Sequence, residues 1–332
     1  MIVSVNIDGT IFARGDAALI GCKVRRIRGK KKASSVQLEL ADPHGELFAA
    51  FPTPERGQVI PVTVRAGETP SVLTEIFGGD VASMGWSWAP GRLSLHAVDK
   101  SRRARRARRT RVTSRASLGD LAREVAAAAS LELDLTAADP RSLTAYGALL
   151  QHAESDWDVL ERLAGALGHD AFVISDTLYI ARVWTGGGEQ GTLPVIRSDS
   201  PELSSLSVQI SEPLPSTTAR LLDVDGTPAG EVNGVSVDRL ASRRRVGLDL
   251  GAETNPGDLA EGERLAMRSS ARVVKQVSAS VNLEVLRTDI TVREPVVLSG
   301  FGERVDGPWR VERVDLDCGR LDTKLELLRI RA

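Results

Sequence analysis

What most constrains this chain is a period-two alternation of apolar residues, interrupted by glycine and proline turns, in both its first and its last third. Val3, Val5 and Ile7 alternate with polar residues and stop at Asp8-Gly9. Successive strand side chains point to opposite faces, and Asp-Gly is a strong hairpin signal. Val36-Gln37-Leu38-Glu39-Leu40 and Val62-Thr63-Val64 repeat the pattern. Trp86, Trp88, Leu93 and Leu95 fall on alternate positions about the turn Ala89-Pro90-Gly91. Residues 1–99 therefore read as a first β-barrel-like domain of short strands. Residues 185–332 read as a second one. It opens on a Gly-rich linker at 185–191, and its strands carry Leu203, Leu206, Val208 and Ile210, then Val296-Val297-Leu298, then 309–314 and 325–328. One helix is predicted within it, near residues 258–276, from Leu259, Leu265, Ala266 and Val273.

Between the two lies a different pattern. Residues 100–115 form a basic connecting segment: Lys100, Arg102, Arg103, Arg105, Arg106, Arg108, Arg109, Arg111 and Arg115, with no acid among them. Residues 116–184 read as a small α+β domain. Ser117 with Asp120 resembles a capping box, and Leu118, Leu121, Ala122 and Val125 follow at helical spacing. A second helix starts at Ser155, with Asp158 in the reciprocal capping position and an apolar stripe of Trp157, Leu160, Leu163, Ala164 and Leu167. Gly168 is placed to end it. A hairpin follows, from Ala171-Phe172-Val173-Ile174 through Ser175-Asp176 to Leu178-Tyr179-Ile180. The fold class predicted is mainly β with an α+β insertion.

Chemistry is hard to find. His44, His96, His152 and His169 show no metal-ligand spacing, and His152 and His169 read as surface or cap-adjacent imidazoles. Cys22 and Cys318 are far apart in sequence, form no C-x-x-C pair and read as buried free thiols, so no disulfide framework is implied. Glu154, Asp156 and Asp158 could suggest acid–base work. They sit where a helix begins, however, and negative charge is favoured there by the dipole and the unsatisfied amides. The glycines at 186–188 lack the rest of a phosphate-loop motif. No catalytic, cofactor-binding or metal-binding residue is predicted, no cofactor is expected, and the chain reads as a non-enzyme. With a formal net charge of −1, only the arginine run could hold polyanions. The run contains no aromatic residue for base stacking, and it could equally pair with acidic neighbours. The N-terminus reads as a strand rather than a signal peptide, and no apolar stretch is long enough for a membrane span.

The stretch from Gln151 to Ala164, QHAESDWDVLERLA, with Leu167-Gly168 after it, resembles the Q-x-x-E-S-D-W-x-x-L-x-R-L-A-x-x-x-G pattern of the phage late-control D family. That family comprises baseplate hub proteins of contractile tails. It is related to the N-terminal part of type VI secretion spike proteins and to hubs of extracellular injection particles. Other segments fall in the same order. Ile76-Phe77-Gly78-Gly79-Asp80-Val81 is similar to the family's F-x-G-x-V strand. Val98-Asp99-Lys100-Ser101 with Thr110-Arg111 is similar to D-K-S-x…R-x-x-T-R, and Ser117-Leu118-Gly119-Asp120-Leu121-Ala122 to T-L-x-D-I-A. Leu298-Ser299-Gly300-Phe301-Gly302 with Asp306-Gly307-Pro308-Trp309-Arg310-Val311 resembles the closing strands of the second barrel. The arginine run is denser than the family pattern, and no long β-helical spike follows the second barrel.

The resemblance implies a homotrimer in which each copy gives two barrels to a ring, closed by heterologous contacts. Such a ring would join a sixfold tail tube to a threefold central spike carried by a separate protein, among other baseplate proteins. It would assemble in the bacterial cytoplasm and reside in the baseplate of a phage tail or tail-like particle. Membrane anchoring is not expected, and nucleic acid is expected only in passage through the channel. A nucleic-acid-binding protein using residues 100–115 and a tail-associated glycan-active enzyme are the alternatives.

Overall fold

The computed structural model describes residues 1–28, 33–52, 59–106, 108–140, 143, 146–167, 169–182, 193–210, 219–222, 228–232 and 277–329. The helix predicted near 258–276, the linker at 185–191 and the helix-ending Gly168 lie outside them.

The first β region holds β1 (Ile2–Ile7), β2 (Thr10–Ala13), β3 (Leu19–Ile27), β4 (Ser35–Ala41), the short α1 (Glu46–Ala50), β5 (Pro61–Gly67), β6 (Thr74–Ser87) and β7 (Arg92–Asp99). The middle holds α2 (Ser101–Arg106), β8 (Arg108–Ser117), α3 (Leu118–Ala129), β9 (Glu132–Asp134), β10 (Tyr146–Ser155), α4 (Asp156–Ala166), β11 (His169–Ile174) and β12 (Thr177–Arg182). The last region holds β13 (Val195–Arg197), β14 (Leu203–Ile210), β15 (Ala219–Leu222), β16 (Pro228–Val232), β17 (Val277–Leu283), β18 (Val296–Ser299), β19 (Gly307–Asp317) and β20 (Asp322–Arg329). The protein is mainly β with a small helical insertion, as the alternation predicts.

The alternation works as strand geometry requires. Val3, Val5 and Ile7 are fully buried, and so are Val36, Leu38, Leu40, Val62 and Val64, none more than 1% exposed. At the β1–β2 hairpin Asp8 and Gly9 both take positive φ, 49° and 89°, as the two-residue turn between twisted strands demands. One curled, half-barrel sheet of 13 strands carries both β regions, in the order β14-β17-β20-β19-β3-β4-β7-β6-β5-β1-β2, with β18 also on β19 and β13 on β18. The two regions meet where β3 pairs antiparallel with β19, Val24 opposite Leu316.

The insertion has its own core. Leu118, Leu121, Ala122 and Val125 of α3 and Trp157, Leu160 and Ala164 of α4 pack with Leu178 and Ile180 of β12. Both helices start on serine. Ser117 accepts the Asp120 amide at 3.1 Å. Ser155 accepts the Asp158 amide at 3.1 Å, and Asp158 Oδ2 accepts the Ser155 amide at 3.2 Å, completing a capping box. Replacing Ser155 by Ala should lower stability by about 1 kcal/mol. That would be read as a lower urea midpoint with an unchanged far-ultraviolet spectrum.

Two short helices were not foreseen. The α1 turn starts where the Asp42 carboxylate accepts the Leu47 and Phe48 amides. The α2 helix lies inside the arginine run, whose charge masks helical periodicity.

Candidate functional site

The segments that stand out in the sequence converge on one seam, where the end of the first β region meets the helical insertion. The seam is built up from Asp99, the last residue of β7. Its buried carboxylate accepts the Ser34 amide at 2.5 Å, the Ser101 amide at 3.0 Å and the Ser101 hydroxyl at 2.5 Å. Burial raises the affinity of this carboxyl for its proton, and the hydrogen bonds pull it back. Ser101 opens α2, and its hydroxyl in turn accepts from Arg105 Nε at 3.1 Å. The Arg105 guanidinium lies 4.4 Å from the Trp157 ring centroid and 3.3 Å from Glu161 Oε1. The Trp157 indole N–H donates to the same oxygen at 2.7 Å. The Asp-Lys-Ser and Glu-Ser-Asp-Trp segments are thus two halves of one connected network.

The neighbouring arginines extend it. Arg103 grips Asp80 with both Nε and Nη2, at 3.0 and 3.1 Å. Arg102 donates to the Val81 carbonyl at 3.1 Å. Lys100 meets Asp176, at the tip of the β11–β12 hairpin, at 2.7 Å. Asp80 follows Gly79, where a side chain would lie 2.4 Å from the Val98 carbonyl oxygen. Glycine there lets β6 pass close against β7.

On β8, Arg111 donates to Gln151 Oε1 at 2.8 Å and holds Glu124 at 2.6 and 3.1 Å. The Glu124 hydrogen bond raises the proton affinity of Arg111 further. Gln151 is fully buried. Its amide donates to the Glu154 carbonyl at 2.9 Å and to Asp156 Oδ1 at 3.0 Å. It thereby spans the bulge between Gln151 and Glu154, where Ala153 takes φ 50° and its amide reaches Thr110 Oγ1 at 3.2 Å.

The acidic cluster at 154–158 is therefore spoken for. Asp158 caps α4. Asp156 lies 3.5 Å from Arg109 and 3.6 Å from Arg111, and Glu154 lies 2.8 Å from Arg162. Of the nine basic residues in 100–115, five (Lys100, Arg103, Arg105, Arg109 and Arg111) pair with carboxylates of this same chain. Arg106 and Arg108 are exposed. These five tie the sheet to the helices.

A second tie lies deeper. Arg28, 7% exposed, binds Asp170 of β11 at 3.1 Å and the Val292 carbonyl at 2.9 Å. Its guanidinium stands 5.1 Å from the Phe172 ring centroid. Burial lowers its proton affinity, and Asp170 restores part of it. Sequence alone gives no sign of this role, because nothing near Arg28 marks its partners.

Of the histidines, His44 and His152 are exposed and His96 is half-buried. His169 departs from the surface reading. It is fully buried, its Nε2 accepts the Asp139 amide at 3.0 Å, and its Nδ1 lies 2.8 Å from the Leu167 carbonyl. It seals the α4 C-terminus from inside. Both cysteines are buried and free. Among the described residues no cluster of His, Cys, Asp and Glu could hold a metal ion, and no helix is long and apolar enough to cross a membrane.

No family model and no curated protein matches the sequence. Solved structures do. A 43 kDa tail protein of prophage MuSo2 from Shewanella oneidensis superposes with a TM-score of 0.66 at 13% identity, covering 99% of this chain and 98% of that one. The chain has the fold of a phage tail protein. A tail protein from Neisseria meningitidis MC58 gives a TM-score of 0.63 at 14% identity, over 98% of this chain and 96% of that one. A component of the type VI secretion system of E. coli gives 0.58 at 10% identity, over 98% and 77%. The likeness thus runs through the arginine seam as well as both β regions.

Proposed function

We propose that the protein is the structural baseplate hub of a contractile phage tail or tail-like injection particle, a non-enzymatic homotrimer joining the tail tube to a separate central spike. The observation that carries this is the end-to-end likeness to a prophage tail protein, covering 99% of this chain and 98% of that one. In this reading residues 1–99 and 185–332 act as the two barrel-like units, 100–115 ties them to the small domain at 116–184, and three copies give a ring of six similar units. Shape and symmetry matching need no catalytic group, in keeping with a seam whose carboxylates are committed to arginines. Among the described residues the main run of the sheet ends at β14 and β2, on which Ile210 and Ile11 are 64% and 65% exposed. Edge strands invite pairing with another chain, and a ring of copies supplies one.

The test is imaging of assembled particles with the chain labelled. Density on the tail axis, between tube and spike and with threefold symmetry, is the expected result. Density away from the axis would end the proposal. Light scattering of the purified protein should give the mass of three chains, alone or with the spike protein added.

A further inference from the structure

The chain has two cysteines, and folding brings them face to face. Cys22 lies in β3 and Cys318 directly follows β19. The register that pairs Lys23 with Asp317 continues one step to set them opposite each other, and the Cys318 amide donates to the Cys22 carbonyl at 2.9 Å. Opposed residues in an antiparallel pair have Cα atoms about 4.5–5.5 Å apart, inside the window of about 4.4–6.8 Å that a disulfide spans. Both side chains point into the core, 2% and 1% exposed. The neighbouring Cys318 side chain and burial push the Cys22 thiol well up. Arg26, on the same face of β3, is 4% exposed. Its Nε donates to the Ile76 carbonyl at 2.9 Å, while its Nη1 has no partner. Burial lowers Arg26 to about 10. A raised, buried thiol exchanges slowly, so the pair reacts only when the strand end opens.

We propose that Cys22 and Cys318 are a redox staple, oxidised by a low-molecular-weight disulfide to an intramolecular bond that locks the first β region to the last. One protein thiol loses its proton to solvent and attacks a sulfur of the reagent, releasing one reagent thiolate. The second protein thiol, likewise deprotonated, attacks the protein sulfur of the mixed disulfide and releases the other. Two protein thiols become one disulfide, and the reagent disulfide is reduced to two thiols that take up the two protons. Entry is through the turn after Cys318, where Gly319 and Arg320 are exposed and local opening gives access. A chain made in a reducing cytoplasm carries the dithiol, and one released into an oxidising medium carries the staple. That last step rests on the tail-particle reading; the thiol chemistry does not.

The test uses the full native chain, treated with glutathione disulfide or with dithiothreitol, acid-quenched, denatured and read by thiol titration and intact mass. Two thiols are expected after dithiothreitol. After glutathione disulfide none is expected, with a mass lower by two hydrogens and no adduct. The oxidised protein should melt several degrees higher, and C22S and C318S should each lose that rise. Two thiols retained at equilibrium, or a persistent glutathione adduct, would overturn the staple. Should a serine variant fail to fold, the wild-type thiol count and mass decide alone.

Discussion

Replacing Arg28 by alanine should destabilise the protein by about 3–5 kcal/mol, the usual loss when one member of a buried ion pair is removed. Three parts of the chain depend on this guanidinium: the end of β3, which Arg28 directly follows; β11, through Asp170 and Phe172; and the segment at 292–293, whose carbonyls it binds. Removal leaves Asp170 facing Arg310 at 4.0 Å and strips a donor from the Val292 carbonyl. Denaturant unfolding of Arg28→Ala would measure the loss. The double variant Arg28→Met with Asp170→Leu should lose less than Arg28→Met alone, because the buried Asp170 charge is then gone and Arg310 keeps Glu312. Equal losses in the two would show that packing, rather than charge, is what Arg28 supplies.

A loss of similar size is expected for Trp157→Ala, about 3–5 kcal/mol as for other buried aromatic truncations. Trp157 is 1% exposed and among the largest fully buried side chains. Its ring carries Arg105 and its N–H holds Glu161, so truncation opens a cavity and unties the arginine seam together. Trp157→Phe keeps most of the volume and loses only the N–H donor and part of the face. It should therefore lose about 1–2 kcal/mol, the scale of a net hydrogen bond and a small void. Thermal melts of both variants test this. A Trp157→Ala loss below that of Trp157→Phe would refute the account of the seam.

How far the sequence foretells all this depends on whether a feature is local. Val3, Val5 and Ile7 announce a buried strand face because their period is the strand's own. Ser155 and Asp158 announce a helix start because both partners lie within one turn. The stripe from Trp157 to Leu167 names the face that α4 buries. The arginines are different: their composition says only that charge is present, while the partners Asp80, Glu161 and Asp156 come from two separate elements, β6 and α4. Arg28 and Asp170 lie 142 positions apart, and nothing at either end points to the other. His169 looks like a surface imidazole because neighbouring residues do not reveal the Asp139 amide that covers it. The cysteines are recognisable as buried, but their opposition exists only once β3 has met β19.

That meeting has a temporal side. Arg25 and Asp315, bonded across the β3–β19 pair, are 290 positions apart. At synthesis rates of about 5–20 residues per second, β3 waits roughly 15–60 s on the ribosome before its partner exists. During that interval it presents an unpaired edge, the template on which stray strands add. Its exposed face carries Lys23 and Arg25, charges of the kind that blunt such an edge. The strand that ends up in the middle of the sheet therefore spends its first minute or so as a border, and its outward lysine and arginine guard that border until the last hairpin arrives.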